Sequence, residues 1–300
     1  MALRYGRDVL LFAVGYITLD WASNFERLGP FNITPWNPPP ALAVVWTMLA
    51  GISQWPAIMA TIVLADVLLR HAPGGYAVTL GGSFVLAAGY TAMGLILRFA
   101  LRSGGLRSTR DLTFFVITIV AGTGIVGAAF VSLLKVSGVL GDIPTLDAWL
   151  RFWLGDAVGI LVTAPLILAV TDRRRRETLR SLAANREAWI QFAVLCATLA
   201  VVFTTVPVGA APRFYVLFLP VIWIAMRSGM TGAIVAMAII QVGVALGARG
   251  PVASQLHLVE LQILVAVLTL TGAFLGMAVD ERKQASGSAP ERRQSNPGED

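Results

Sequence analysis

The feature that most constrains this chain is a succession of ten continuous apolar stretches separated by short polar or charged joints. They run at approximately 8–25, 39–53, 56–71, 76–101, 111–136, 147–172, 187–206, 212–226, 229–248 and 257–279. A helix crosses the roughly 30 Å hydrocarbon core of a bilayer with about 20 apolar residues. Stretches of this length and number therefore specify a bundle that passes the membrane many times. They are continuous rather than alternating with period two, which excludes a transmembrane barrel. Hydrophobic residues make up 56% of the chain and charged residues 13%, whereas a soluble domain carries about 25% charge to wet its surface. The expected fold class is all-α: a polytopic transmembrane helical bundle of about ten spans, and at least eight, with both termini cytoplasmic.

Charge sets the orientation. The net charge is +6, and the basic residues sit in the joints, where they read as topology signals and lipid headgroup contacts rather than as a nucleic-acid surface. With the N-terminus inside and ten spans, 17 of the 23 Lys and Arg residues fall on the cytoplasmic side, including Arg173, Arg174, Arg175 and Arg176. That asymmetry expects a multi-pass protein of the bacterial inner membrane with this arginine run as an anchor. The second and third stretches, and again the eighth and ninth, form tight hairpins entered through proline and turned at glycine. This is a candidate internal repeat. After Asp280 the chain turns polar, so residues 1–280 read as the membrane domain and 281–300 as a disordered tail or the start of a linker.

Ionisable residues inside spans cost at least about 2.5 kcal/mol each on insertion scales and are functional candidates for that reason. Asp156 is the clearest. Trp149, Trp153 and Asp156 lie at i, i+4 and i+7, on one helix face, and Gly155 and Gly159 form a small-residue notch beside them. Two readings stand: an aromatic-lined acidic pocket opening outward, or an interfacial tryptophan belt above a carboxylate hydrogen-bonded between helices. Asp66 and Asp20 lie nearer the outer ends of their spans, where they reach either a site or water. His257 and Glu260 are one turn apart and form a candidate proton-sensitive pair, or simply a solvated helix start. Five prolines between Pro30 and Pro40, with Trp36 among them, make a stiff outer segment. Gly272 and Gly276 mark a packing face, within the bundle or in a homodimer, and Pro165 interrupts the sixth span.

No metalloprotease, serine-hydrolase, phosphate-loop or dinucleotide motif is present. The single cysteine, Cys196, excludes a disulfide framework. The expectation is a non-catalytic protein with no cofactor and no metal.

Three segments, WNPPPALAVVWTMLAGISQWPA, WLRFWLGDAVGILVTAPLIL and LPVIWIAMRSGMTGA, occur in this order. Together they resemble the first family of membrane-associated sensor (MASE) domains. The most specific part is carried by Trp149, Trp153, Asp156, Gly159 and Pro165, and a looser part by Trp36, Pro38 and Pro40. The resemblance spans residues 8–282. It implies an integral-membrane sensory input module that detects a ligand or a membrane or periplasmic stimulus. Its expected partners are the lipid bilayer, a small-molecule ligand, and a cytoplasmic output of the histidine-kinase or diguanylate-cyclase type, joined to it or separate. The chain stops about twenty residues after its last span, and GMAVDERKQA reads as the start of a charged signalling helix. A secondary transporter or membrane substrate-binding subunit is the alternative.

Overall fold

The computed structural model describes residues 2–23, 36–72, 74–101, 105–204, 214–247 and 258–294. It consists of ten α-helices: α1 (Ala2–Ser23), α2 (Pro39–Ala50), α3 (Trp55–Arg70), α4 (Gly75–Ala100), α5 (Thr109–Val136), α6 (Thr145–Thr171), α7 (Arg173–Ala184), α8 (Arg186–Thr204), α9 (Phe218–Gly247) and α10 (Leu258–Gln294). Nine carry the ten apolar stretches, because α9 contains two of them. The other, α7, is the arginine-rich helix and lies outside the apolar segments. Among the described residues there are seven helical segments long and apolar enough to cross a membrane, with α2 a shorter apolar helix. The chain is a polytopic helical membrane bundle.

In hydrocarbon no water is at hand to satisfy backbone polar groups, so the chain closes its hydrogen bonds within helices. Among the described residues the helix is broken at two hairpin turns, and glycine permits both. Gly51, between α2 and α3, has φ 89° and ψ −172°; Gly229, within α9, has φ 63° and ψ −155°. These positive φ values favour glycine, and each turns one apolar limb into the next. The carbonyls left open at the end of the first limb are capped alike. Arg98, near the end of α4, donates to Met48 O at 3.0 Å and Leu49 O at 2.7 Å. Lys283, on α10, donates to Arg227 O at 3.0 Å. In each case the cation comes from the long helix that follows the hairpin.

Two apolar cores share α6. One gathers α1 to α6 with Met230 and Ile234 of α9 and Met277 of α10; the other is built mainly from α8, α9 and α10, with Val158 and Val162 of α6. Helix α6 thus has neighbours on most sides. Helix α5 begins with a capping box in which Ser108 and Asp111 exchange side-chain and backbone bonds, each at 3.1 Å. Helix α10 continues to Gln294, through the segment whose composition alone reads as disordered.

Gly229 also packs against Asp280, where an added Cβ would overlap the carboxylate. Gly229→Ala is therefore expected to cost about 1–3 kcal/mol and to lower the melting temperature of the detergent-solubilised protein. Gly6→Ala, whose Cβ meets nothing within 4 Å, should leave it unchanged or raise it slightly. Circular-dichroism melts compare the two.

Candidate functional site

The site begins with a stretch of chain that is not helical. Helix α2 has 12 residues, about 18 Å at 1.5 Å per residue, too short to cross the membrane alone. Its N-terminus therefore starts within the bundle, where the first N–H groups of a helix have no water to bond. The sequence answers with proline. Pro39 and Pro40 occupy the first helical positions and have no N–H to satisfy, and Ala41 N–H bonds Pro38 O at 3.0 Å. Asn37 N–H bonds Gly155 O on α6 at 3.1 Å. The approach is so close that a Cβ on Gly159 would lie 2.0 Å from Asn37 O. The Gly155/Gly159 notch thus receives the chain leading into α2.

Asp156 sits directly beneath that contact. It is 1% exposed, and lies about 16 Å along α6 from Thr145. One carboxylate oxygen accepts from Asn37 Nδ2 at 2.7 Å, the other from Tyr90 OH on α4 at 2.6 Å. Asp156 has no basic partner among the described residues; its environment is two neutral donors and the positive end of α2. Asn37 Oδ1 is buried with no hydrogen-bond partner. Three elements, α6, α4 and the start of α2, therefore meet at one carboxylate.

A second polar node lies in the same half, at the end where α3 passes into α4. Arg70 reaches back from α3 to α1, with Nη2 at 2.7 Å and 2.5 Å from the two oxygens of Asp20. Its Nη1 lies 3.1 Å from Asp66 Oδ1, and Asp66 Oδ2 accepts from Thr79 Oγ1 of α4 at 2.7 Å. The Arg70 and Asp20 side chains are 5% and 1% exposed, so both charges are withdrawn from water. A cavity of about 40 Å³ lies beside them, against Tyr16, Ser83 and Thr79. It has room for water or a small ion and none for a drug-sized molecule. Tyr16, buried on α1, lines that cavity.

Asp20 and Asp66 are thus brought together, and Asp156 stands apart from them. Trp149 and Trp153 stack on each other at 5.0 Å and donate to Gly124 O at 2.9 Å and Val120 O at 2.8 Å. Both bonds go to α5, so the tryptophans fasten α6 to α5 rather than line a pocket with Asp156. Trp36 is half-buried where the chain leads to Asn37. His257 lies outside the described residues; of Glu260, only its backbone, in α10, is described. Gly272 faces Val221 and Met237, and Gly276 faces the backbone of Gly229 and Met230, so this pair packs within the chain. Pro165 lies inside α6. In α7, Arg176 caps Val170 O at 2.8 Å and Arg175 donates to Leu106 O. Sequence reasoning did not single out Arg70, Tyr90, Tyr16 or Asn37 as site residues. The i, i+4 spacing of Asp66 and Arg70 was a usable signal; nothing local announced Tyr90.

Comparison with known families decides the class. The MASE1 family profile matches residues 8–283, nearly the whole chain. The chain belongs to the MASE1 family. MASE1 domains are membrane-associated sensor domains, so the chain is a sensory membrane module. Searches of curated proteins and of solved structures gave no match.

Two stability predictions follow from the nodes. Tyr90→Phe removes a hydrogen bond to a carboxylate and should cost about 1.5–3 kcal/mol. Arg70→Met leaves Asp20 buried without a counter-charge and should cost about 3–5 kcal/mol, with part recovered by adding Asp20→Asn. Reversible unfolding in mixed micelles measures both.

Proposed function

We propose that this MASE1 chain is a non-catalytic input module of the bacterial cytoplasmic membrane. In this reading it senses a stimulus in the outer half of the bundle and passes it to a signalling output through α10. The output is of the histidine-kinase or diguanylate-cyclase type, joined to the module or separate.

The observation that carries the proposal is how α10 is held at the arginine-rich end. Helix α10 is continuous from Leu258 to Gln294, and three of its residues, all within about two turns, contact other elements. Gly276 lies on the backbone of Gly229 and Met230. Asp280 Oδ2 accepts from Met230 N–H at 3.1 Å. Glu281 accepts from the backbone N–H and the hydroxyl of Thr109, at the start of α5, at 2.6 Å and 2.9 Å. A change in how α9 or α5 packs therefore reaches α10 through directional bonds. On the input side, Asp156 joins three elements without a counter-cation. A packing that broke its bonds to Asn37 and Tyr90 would leave a buried carboxylate unsatisfied, at a cost of several kcal/mol. The alternative packing therefore needs a compensating interaction, and a stimulus that supplies one shifts the population. Moving a two-state element from 1:99 to 99:1 takes a differential affinity of about 10⁴.

The transporter reading also has one observation in its favour. In transporters, half-helix N-termini within the bundle point at anionic substrate groups, and here the positive end of the short helix α2 lies within the bundle beside Asp156. Solute uptake into liposomes that depends on Asp156 would support it.

In a chimera carrying a diguanylate cyclase after Gln294, inserting two residues between Ser286 and Gly287 rotates the output by about 200°. It should change basal cyclic-dinucleotide output several-fold. A seven-residue insertion, rotating it by only about 20°, should preserve output. Equal output from both insertions and the parent would show that α10 does not carry the signal.

A further inference from the structure

A cavity of about 410 Å³ opens at the arginine-rich end of the bundle, between the joint preceding α5, helix α7, the break in α9 and the exit segment of α10. Its size falls in the range of small-molecule sites. Three cations line it, each from a different element: Arg107 from the joint, Arg175 from α7 and Lys283 from α10. Two carboxylates share the wall, and both are engaged. Asp172 lies 4.0 Å from Arg107, and Asp280 accepts the Met230 N–H at 3.1 Å.

Two helices also begin here. One is α7, at Arg173; the other is the second limb of α9, whose first turn presents Thr231 to the cavity. Helix N-termini carry partial positive charge and open N–H donors. Arg175 gives one N–H to Leu106 O, and Lys283 one to Arg227 O, which leaves both with donors to spare. Burial lowers the Arg175 pKa, with Asp280 and Asp172 opposing and Arg107 reinforcing that shift.

We propose that this cavity binds a phosphate-bearing anion, which bridges Arg175 of α7 to Lys283 of α10. A second, inner input then acts on the exit helix. The site is separate from the Asp156 node and stands whether or not that node receives a stimulus. Two sources present the same chemistry: a soluble phosphate ester or diphosphate, and the headgroup of an anionic phospholipid. Arginine and lysine on separate elements suit a multidentate anion, and an occupant would change how firmly α10 is tied to the bundle.

The test uses the full chain in nanodiscs of phosphatidylcholine, with or without phosphatidylglycerol, titrated with inorganic pyrophosphate by calorimetry. In phosphatidylcholine discs pyrophosphate should bind, and the double variant R175Q/K283Q should weaken it at least tenfold. R180Q/R186Q, which removes two exposed arginines that do not line the cavity, should leave it unchanged. A soluble ligand is indicated if phosphatidylglycerol does not compete. A lipid headgroup is indicated if phosphatidylglycerol blocks pyrophosphate and raises the melting temperature of the parent but not of R175Q/K283Q. Size-exclusion profile and tryptophan emission check the fold. If the double variant fails that check, the half-exposed Arg107→Gln takes its place with the same expectation. Absence of binding, or equal binding by the parent and both double variants, overturns the proposal.

Discussion

A backbone N–H buried in a bilayer has to find an acceptor, and the first half of this bundle is arranged around one stretch of chain that meets the requirement without being helical. Helix α2 starts inside the bundle after a non-helical approach, and its start presents the donors that a helix start normally leaves to water. Two prolines remove donors, Asn37 N–H is given to Gly155 O, and Gly159 supplies the room. Asp156 follows from the same contact. With Asn37 pressed against α6, its side chain can reach the carboxylate, and the positive end of α2 lies beside it.

The two polar nodes handle buried charge differently. Around Arg70 opposite charges face each other directly, one guanidinium against the two carboxylates of Asp20 and Asp66, joining α1 to α3 and, through Asp66 and Thr79, α4. Removing one partner from such an arrangement is costly, yet the intact arrangement contributes little net stability, because desolvation offsets the attraction. Its effect is to fix which helices touch. Asp156 instead has dipoles and hydroxyls around it, which can be rearranged without separating opposite charges. The first node ties opposite charges together, and the second satisfies a single charge with neutral donors.

Much of this architecture was legible in the chain, for stated reasons. Apolar runs separated by charged joints give the segments, because hydrocarbon admits few polar side chains. The glycines at the two hairpins were readable as turns, and Asp156 stood out by its cost. Three things were not legible. Arg70 counted as an outer charge, because its pairing with Asp20 spans 50 residues and no local pattern encodes it. Trp153 and Asp156 share a face on a helical wheel, yet they lie about 60° apart around α6, enough for one to address α5 and the other α4 and α2. The polar composition after Asp280 reads as disorder when the segment is considered alone. In the fold it continues α10, anchored by Asp280, Glu281 and Lys283 to α9 and α5.

Gly276, where α10 rests on the α9 backbone, lies 18 residues from each described end of that helix, Leu258 and Gln294. At 1.5 Å per residue each arm is about 27 Å long. A stiff rod bearing on a point at its middle behaves as a balanced lever. If α10 pivots there, one end moves as far as the other and in the opposite direction, with neither gain nor loss of amplitude. A glycine lets the backbones touch, so the fulcrum is hard, with no flexible side chain to absorb the motion.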